Sequence, residues 1–96
     1  MKKSGIYIAY GGFLKVGRLK IGQTSEMSKM PSRYKTYYGP DVKLCAYYIE
    51  NPHEYEKILI EKIKANHVSG EIYEMKCSDC KKICEEVTHI KGKNIN

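Results

Sequence analysis

The side chains best placed for chemistry lie in two short runs near the start of the chain, Gly5-Ile6-Tyr7-Ile8-Ala9-Tyr10 and Leu19-Lys20-Ile21-Gly22-Gln23-Thr24. Side chains alternate across a β-strand, so Tyr7 shares a face with Gly5 and Ala9, and we expect open space around its hydroxyl. By the same alternation, Lys20 and Gly22 share one face of the second run. A tyrosine and a lysine on sparsely filled polar faces would allow a phosphate group to approach them closely.

The elements that carry these residues can be predicted from their composition. Both runs are rich in β-branched and aromatic residues, are bounded by glycine, and are joined by a connection that begins at Gly11-Gly12. This pattern predicts an antiparallel hairpin with strands from Gly5 to Tyr10 and from Val16 to Thr24. A third strand is predicted from Val42 to Glu50, packed on both faces.

Three segments are predicted to be helices, and they span Pro31 to Tyr38, Asn51 to about Ala65, and Ser78 to about Val87. The first has proline in its first turn and is followed by the turn-forming Gly39-Pro40-Asp41. The second begins with Asn51 as a cap, and Glu54 is spaced for a capping box. The third has apolar residues at amphipathic spacing. These elements predict an α/β fold of the α+β type, with a three-stranded antiparallel sheet flanked by helices.

Glu56 occupies an apolar position of the second predicted helix. At about 100° per residue it is enclosed by a single apolar stripe, formed by Tyr55, Leu59, Ile60 and Ile63. Removing an unpaired carboxylate from water is costly unless a cation or hydrogen-bond donors meet it. A metal ion would meet it. In the alternative, Glu56 lies at the edge of the stripe and reaches water or pairs with a lysine.

Length and charge limit the classes of protein. With 96 residues we expect one domain over 1–96, with a core over about 4–87 and a frayed polar tail at 91–96. The formal charge of +6 and the pI near 9.1 favour a polyanionic partner, although a merely soluble basic protein would have the same composition. No apolar run has the length of a signal peptide or a membrane span, so we expect an intracellular, soluble protein with no membrane role.

The four cysteines do not have the distribution of a secreted disulfide framework, because Cys45 is alone and the other three are close together. Reduced thiols are therefore expected. The spacing Cys77-x2-Cys80-x3-Cys84-x4-His89 could supply four zinc ligands. There is no second Cys-x2-Cys pair, and free cysteine is common in protein cores, so we expect core packing and no stoichiometric zinc.

Several of these residues resemble motifs of the GIY-YIG nuclease superfamily. Gly5-Ile6-Tyr7 matches its first motif, and Lys20-Ile21-Gly22 matches its second, with lysine where tyrosine is usual. Glu56-Lys57-Ile58-Leu59-Ile60 is similar to its metal-binding glutamate, which is followed three residues later by leucine. Gly70-Glu71-Ile72-Tyr73 resembles the Gly-Glu-aromatic signature of a small branch common in phages and large DNA viruses, with isoleucine where tryptophan is usual. The match covers roughly residues 4 to 87 in the right order.

The resemblance implies a nuclease site with one Mg2+ or Mn2+ ion bound by Glu56. Tyr7 would be the general base or would orient the attacking water. A free tyrosine has a pKa near 10, so this role requires a nearby positive charge, which Lys20 could supply across the hairpin. Arg33 would grip the reacting phosphate with its planar fork; in the alternative it is a solvated arginine on a helix face.

Two further residues are candidates for substrate binding. Gly22 would let substrate or backbone come close, and Tyr37 is a further polar candidate on the first helix. We expect a DNA endonuclease in the cytoplasm or nucleus of a host cell, and the alternative is a non-cleaving nucleic-acid-binding module of the same fold. The presence of Tyr7, Arg33 and Glu56 together favours the enzyme. So small a chain leaves no room for a separate sequence-reading domain, so a protein partner could supply specificity.

Overall fold

An antiparallel β-sheet carries helices on both of its faces. The computed structural model describes residues 3–95. Over that range the strands are β1 (Gly5–Gly11), β2 (Arg18–Thr24), β3 (Val42–Tyr48), β4 (His67–Ser69), β5 (Ile72–Glu74) and β6 (Lys93–Asn94), in the order β4-β5-β2-β1-β3-β6. The helices are α1 (Met30–Tyr38), α2 (Pro52–Ile63) and α3 (Cys77–Thr88).

The predicted hairpin is confirmed. β1 and β2 pair in antiparallel fashion, with Tyr7 opposite Gly22 and Ala9 opposite Lys20. The second strand begins at Arg18 rather than Val16, because the chain is still turning at residue 17, where φ is 86°. Val16 belongs to this turn and is 97% exposed.

The prediction of three strands is wrong. β1, β2 and β3 form the centre of the sheet, but three short strands extend its edges. β4 and β5 form a hairpin around Gly70, which has a φ of 51°, and β5 pairs with β2. Edge strands have unpaired backbone groups that short segments can satisfy. Segments of two or three residues are too short for a strand pattern to predict them.

The prediction of a frayed C-terminal tail is wrong for the described residues. Lys93 of β6 lies opposite Ala46 of β3, and the amide of Ile95 donates a 3.0 Å hydrogen bond to the carbonyl of Leu44. This pairing could not be predicted from the polar sequence of the tail, because the tail is held by backbone hydrogen bonds to the edge of β3. Residue 96 lies outside the described residues.

Two cores cover the two faces of the sheet. On one face α1 buries Met30 and Tyr34 against Tyr7 and other residues of the central strands. On the opposite face α2 buries Leu59 and Ile63, and α3 packs beside it. Alternate residues of β3 belong to the two cores, so the prediction that this strand is packed on both faces is confirmed. Tyr7 and the buried stripe of α2 therefore lie on opposite faces.

The helices begin and end close to the predicted positions. A 3-10 turn at Met27–Lys29 precedes α1, and another at Lys64–Asn66 follows α2. Asn51 precedes α2 as predicted, but its side chain makes no capping hydrogen bond. Among residues 3–95, no helix combines the length and the apolar character needed to cross a bilayer.

Candidate active site

Tyr7 of β1 lies beneath α1. Its side chain is only 5% exposed, and its ring meets the ring of Tyr34 edge-on at a centroid distance of 5.3 Å. The Tyr34 hydroxyl donates a 2.8 Å hydrogen bond to the Tyr7 hydroxyl oxygen. The prediction of open space around this hydroxyl is therefore wrong. The small side chains on this face of β1 admit close neighbours: a Cβ at Gly5 would overlap the Tyr47 carbonyl oxygen and would lie 2.9 Å from Met27 Cε.

The pKa of Tyr7 is raised above the ordinary value of 10.0, chiefly because burial disfavours the phenolate. The hydrogen bond from Tyr34 and the charge of Lys20 lower this pKa, whereas the carboxylates of Glu71 and Glu56 raise it. Lys20 thus acts in the predicted direction, but burial outweighs it. At neutral pH Tyr7 is therefore a phenol, and its oxygen accepts the hydrogen bond from Tyr34.

Gly22 of β2 provides the space in which Tyr7 sits. A Cβ at this position would overlap the Tyr7 hydroxyl and would lie 2.8 Å from Oε2 of Glu71. Gly22 was predicted to let substrate or backbone come close. In the structure the groups that come close to it are the Tyr7 phenol and the Glu71 carboxylate. Any larger residue would push these two groups away from the strand.

Lys20 lies beside this space on the same face of β2. Its Nζ is 5.4 Å from the ring centroid of Tyr34, 5.8 Å from that of Tyr38 and 3.7 Å from Oε1 of Glu71. Two ring faces and a carboxylate therefore surround the ammonium, and its side chain is 23% exposed. This arrangement holds a positive charge near Tyr7 while leaving part of it open to solvent.

Glu56 approaches from α2, on the other face of the sheet. Gln23 Nε2 donates a 3.2 Å hydrogen bond to its Oε1 and is also 3.0 Å from Nδ1 of His53. The pKa of Glu56 is raised above 4.5, first by burial and then by the charge of Glu71, while Gln23 and His53 act in the opposite direction. Within residues 3–95 Glu56 forms no ion pair, so the alternative in which it pairs with a lysine is wrong.

Glu71 links the groups on the two faces of the sheet. It lies in the turn between β4 and β5, where its carbonyl accepts a 3.0 Å hydrogen bond from the amide of Ile21. Its carboxylate pairs with Lys20 and raises the pKa of both Tyr7 and Glu56. Glu71 therefore lies close to Tyr7 and Lys20 and within electrostatic range of Glu56. We call these four side chains the Glu71 cluster (Tyr7, Lys20, Glu56 and Glu71).

The Glu71 cluster suits a divalent cation. Glu56 is partly buried and forms no ion pair within residues 3–95, and the nearby Glu71 further disfavours its charged form. Hard cations such as Mg2+ prefer oxygen ligands and keep several waters. Within the same residues no three or more His, Cys, Asp and Glu side chains are grouped so as to hold a metal ion. If an ion binds here, Glu56 and Glu71 are the carboxylates that could supply part of its coordination, with water and phosphate oxygens supplying the rest.

No protein-family model, curated protein or solved structure matches the chain that carries this cluster. The chemistry available to the cluster is that of its own groups, a phenol that can donate a proton, an ammonium, and two carboxylates that attract a cation.

Arg33 and Tyr37 are not brought into the cluster. They are four residues apart on one flank of α1, and both are exposed, Tyr37 by 74%. Arg33 makes no hydrogen bond or ion pair within residues 3–95. Its guanidinium is therefore available to an incoming anion, and its predicted role in gripping phosphate stays a prediction.

Two residues of the site were missed by reasoning from the sequence alone. Tyr34 was assigned to the first helix but given no role, although its spacing of four residues from Met30 indicates the buried stripe of that helix. Glu71 was noted only as part of a Gly-Glu-aromatic signature. A carboxylate next to the turn-forming Gly70 was the available signal, since loop residues beside a rigid sheet often carry function.

The cysteines of α3 belong to the core. Cys80 and Cys84 are fully buried, Cys77 is partly buried, and His89 follows the end of the helix in an exposed position. All four cysteines are free thiols, and burial raises the pKa of Cys45 and of Cys77. The prediction of core packing is confirmed for Cys80 and Cys84. Metal analysis of the purified protein tests the prediction that it holds no stoichiometric zinc.

Proposed function

We propose that this protein is a metal-dependent endonuclease that hydrolyses phosphodiester bonds in DNA, as its resemblance to the GIY-YIG superfamily implies. The observation that carries the proposal is the Glu71 cluster. A buried phenol, a lysine and two carboxylates come from β1, β2, α2 and the β4–β5 turn, and no packing requirement groups a carboxylate pair with a phenol. The net charge of +6 favours a polyanionic substrate.

In this proposal Glu56 holds the cation, with Glu71 beside it. A single Mg2+ or Mn2+ ion would neutralise charge on the phosphate and stabilise the leaving oxygen. Glu71 also keeps the Lys20 ammonium in place through their 3.7 Å ion pair. Arg33 lies on the exposed flank of α1 and would contact the phosphate only when substrate is present.

Tyr7 would orient the attacking water as a phenol, or accept a proton from it as a phenolate. To act as the base it must first lose its own proton to solvent; the phenolate, stabilised by the hydrogen bond from Tyr34, then accepts the proton of the attacking water. Lys20 adds a favourable charge to that state. Lys20 would thus stabilise the ionised form of Tyr7, and this role accounts for a lysine where the superfamily usually has a second tyrosine.

A second candidate is a non-cleaving nucleic-acid-binding module. The burial of the Tyr7 hydroxyl under Tyr34 favours it, because a base must reach the proton that it moves. Two carboxylates at the site weigh against it, since they repel a phosphate when no cation is bound.

Nicking of supercoiled plasmid DNA by the purified chain distinguishes the two functions. We expect nicking that requires Mg2+ or Mn2+, is lost in Glu56→Ala, and is retained in Glu54→Ala, which removes an exposed carboxylate from the same helix. DNA affinity should be equal or higher in Glu56→Ala, because a negative charge leaves the site. Nicking by wild type and Glu56→Ala at the same rate would contradict a role for Glu56. Binding without nicking in either metal would favour the module.

A further inference from the structure

Phe13 is a large aromatic residue in an exposed position. It follows β1 in the connection to β2, and its side chain is 78% exposed. It is nevertheless held in place, because its amide donates a 2.7 Å hydrogen bond to the carbonyl of Tyr38. Its ring lies over Gly39, where a Cβ would come within 3.0 to 3.3 Å of three ring atoms. An apolar ring fixed in solvent is available to bind a flat partner.

A second exposed aromatic lies near the same point. Tyr37 is 74% exposed and occupies the last turn of α1, two residues before the glycine that supports Phe13. Phe13 and Tyr37 thus flank the C-terminal end of α1. We call this pair the α1 platform.

The α1 platform is directly connected to the Glu71 cluster. Tyr38, whose carbonyl anchors Phe13, places its own ring 5.8 Å from Nζ of Lys20. Lys20 in turn pairs with Glu71. Tyr38 therefore contacts both the backbone of Phe13 and the ammonium of Lys20, and joins the platform to the cluster.

The charge around the platform suits a polyanion. Residues 1–49 carry nine basic and two acidic side chains, a formal charge of +7, whereas residues 50–96 carry eight and nine, a charge of −1. The segments 11–20 and 27–40, which contain the platform, have no Asp or Glu. Exposed Lys15 and Lys35 lie two residues from Phe13 and Tyr37 along the chain.

We propose that the α1 platform stacks the bases of an unpaired nucleic-acid strand whose phosphates lie on the neighbouring lysines. In a duplex both faces of each base are covered by its neighbours, so an exposed aromatic stacks on unpaired or terminal bases without the cost of unstacking that insertion into a duplex requires. Aromatic rings between basic side chains are the usual means of holding single strands. Resting on the proposed function, this gives a substrate class, DNA that is single-stranded on one side of the bond to be cut.

Binding of a fluorescently labelled oligothymidylate of about 12 nucleotides, followed by anisotropy in EDTA, tests the platform without requiring cleavage. We expect Phe13→Ala and Tyr37→Ala each to weaken binding by about fivefold or more, as loss of one base stack predicts. Phe13→Leu should lose as much affinity as Phe13→Ala, because leucine keeps apolar volume but has no ring. Phe13→Trp should retain the affinity of wild type. Ile58→Ala is the matched control, since Ile58 is an exposed apolar residue of α2, and it should have no effect.

The outcomes separate this inference from the proposed function. Equal binding by wild type and all Phe13 and Tyr37 variants overturns the platform, even if the protein nicks plasmid DNA. Loss of oligothymidylate binding in the Phe13 and Tyr37 variants with no nicking in any metal supports the platform and rejects the nuclease. Gel filtration supplies a second check, because a wild-type dimer that Phe13→Ala converts to a monomer would assign the platform to self-association and overturn the proposal.

Discussion

At the scale of single residues, Glu56 is the group whose environment fits its charge least. Burial and a second carboxylate raise its pKa, and the hydrogen bond from Gln23 and the proximity of His53 oppose them without cancelling the shift. A carboxylate in this position is expected where a cation is bound, because perturbed acids concentrate at functional sites. The charge of Glu56 should therefore be measurable as a stability effect even without activity.

Replacing Glu56 with glutamine should raise the thermal midpoint of unfolding at pH 7. Because the folded pKa lies above the unfolded one, the folded chain binds this proton more tightly, and the stability that it contributes is lost as pH rises above 4.5 through the folded pKa. The increase in thermal midpoint of Glu56→Gln over wild type should thus be larger at pH 7 than at pH 4. Mg2+ should raise the midpoint of wild type and not of Glu56→Gln, as shown by thermal denaturation. Equal midpoints for the two proteins at both pH values would contradict the raised pKa.

Arg33 should contribute to function without contributing to stability. Its side chain is exposed and has no hydrogen bond or ion pair within residues 3–95, so Arg33→Ala should change the free energy of unfolding by less than about 0.5 kcal/mol. Both DNA affinity and nicking rate should fall, because the guanidinium would contact the phosphate. Arg33→Lys should recover more affinity than nicking, since lysine lacks the planar fork. Unchanged nicking in Arg33→Ala would remove Arg33 from the site.

At the scale of elements, the hairpin of β1 and β2 was predictable because its signals are local. Alternation alone placed Lys20 and Gly22 on one face and Tyr7 on a face with small neighbours. The partner of the Tyr7 hydroxyl was not predictable, because Tyr34 comes from α1 and reaches it only through packing. The same holds for Glu71, whose position depends on the pairing of β5 with β2. Local patterns therefore predict the three central strands, the three helices and three residues of the cluster, whereas the edge strands and the positions of Tyr34 and Glu71 depend on tertiary contacts.

Gly22 should not accept a larger residue without a loss of stability. A Cβ there would overlap the Tyr7 hydroxyl, so Gly22→Ala should cost about 1–3 kcal/mol of stability through overpacking. Removing the hydroxyl should relieve part of this cost, so Gly22→Ala should be better tolerated in a Tyr7→Phe background. Denaturant unfolding of the two single variants and the double variant measures this coupling. Strictly additive effects would show that the contact between the two residues is not the cause.

At the scale of the whole molecule, the positive charge is unevenly distributed. Residues 1–49 build β1, β2, α1 and β3 and carry a formal charge of +7, whereas residues 50–96 build α2 and α3 and carry −1. The face covered by α1 is the one that holds Tyr7, Lys20 and Arg33. The imbalance can be read from the sequence, but only the fold shows that α1, which has two basic and no acidic residues, covers the face opposite the more acidic α2 and α3.

This distribution predicts where DNA binds and how binding responds to salt. Affinity should fall roughly 100-fold between about 50 and 200 mM salt if about four phosphates are neutralised, because each contact releases counterions. Lys35→Gln on α1 should lower the slope of log affinity against log salt by about one, and Lys62→Gln on α2, a substitution of equal charge on the opposite face, should leave it unchanged. Anisotropy titrations at several salt concentrations measure both slopes. If Lys62→Gln lowered the slope and Lys35→Gln did not, the phosphates would lie along α2, and a strand bound there would not reach the Tyr7 hydroxyl under α1.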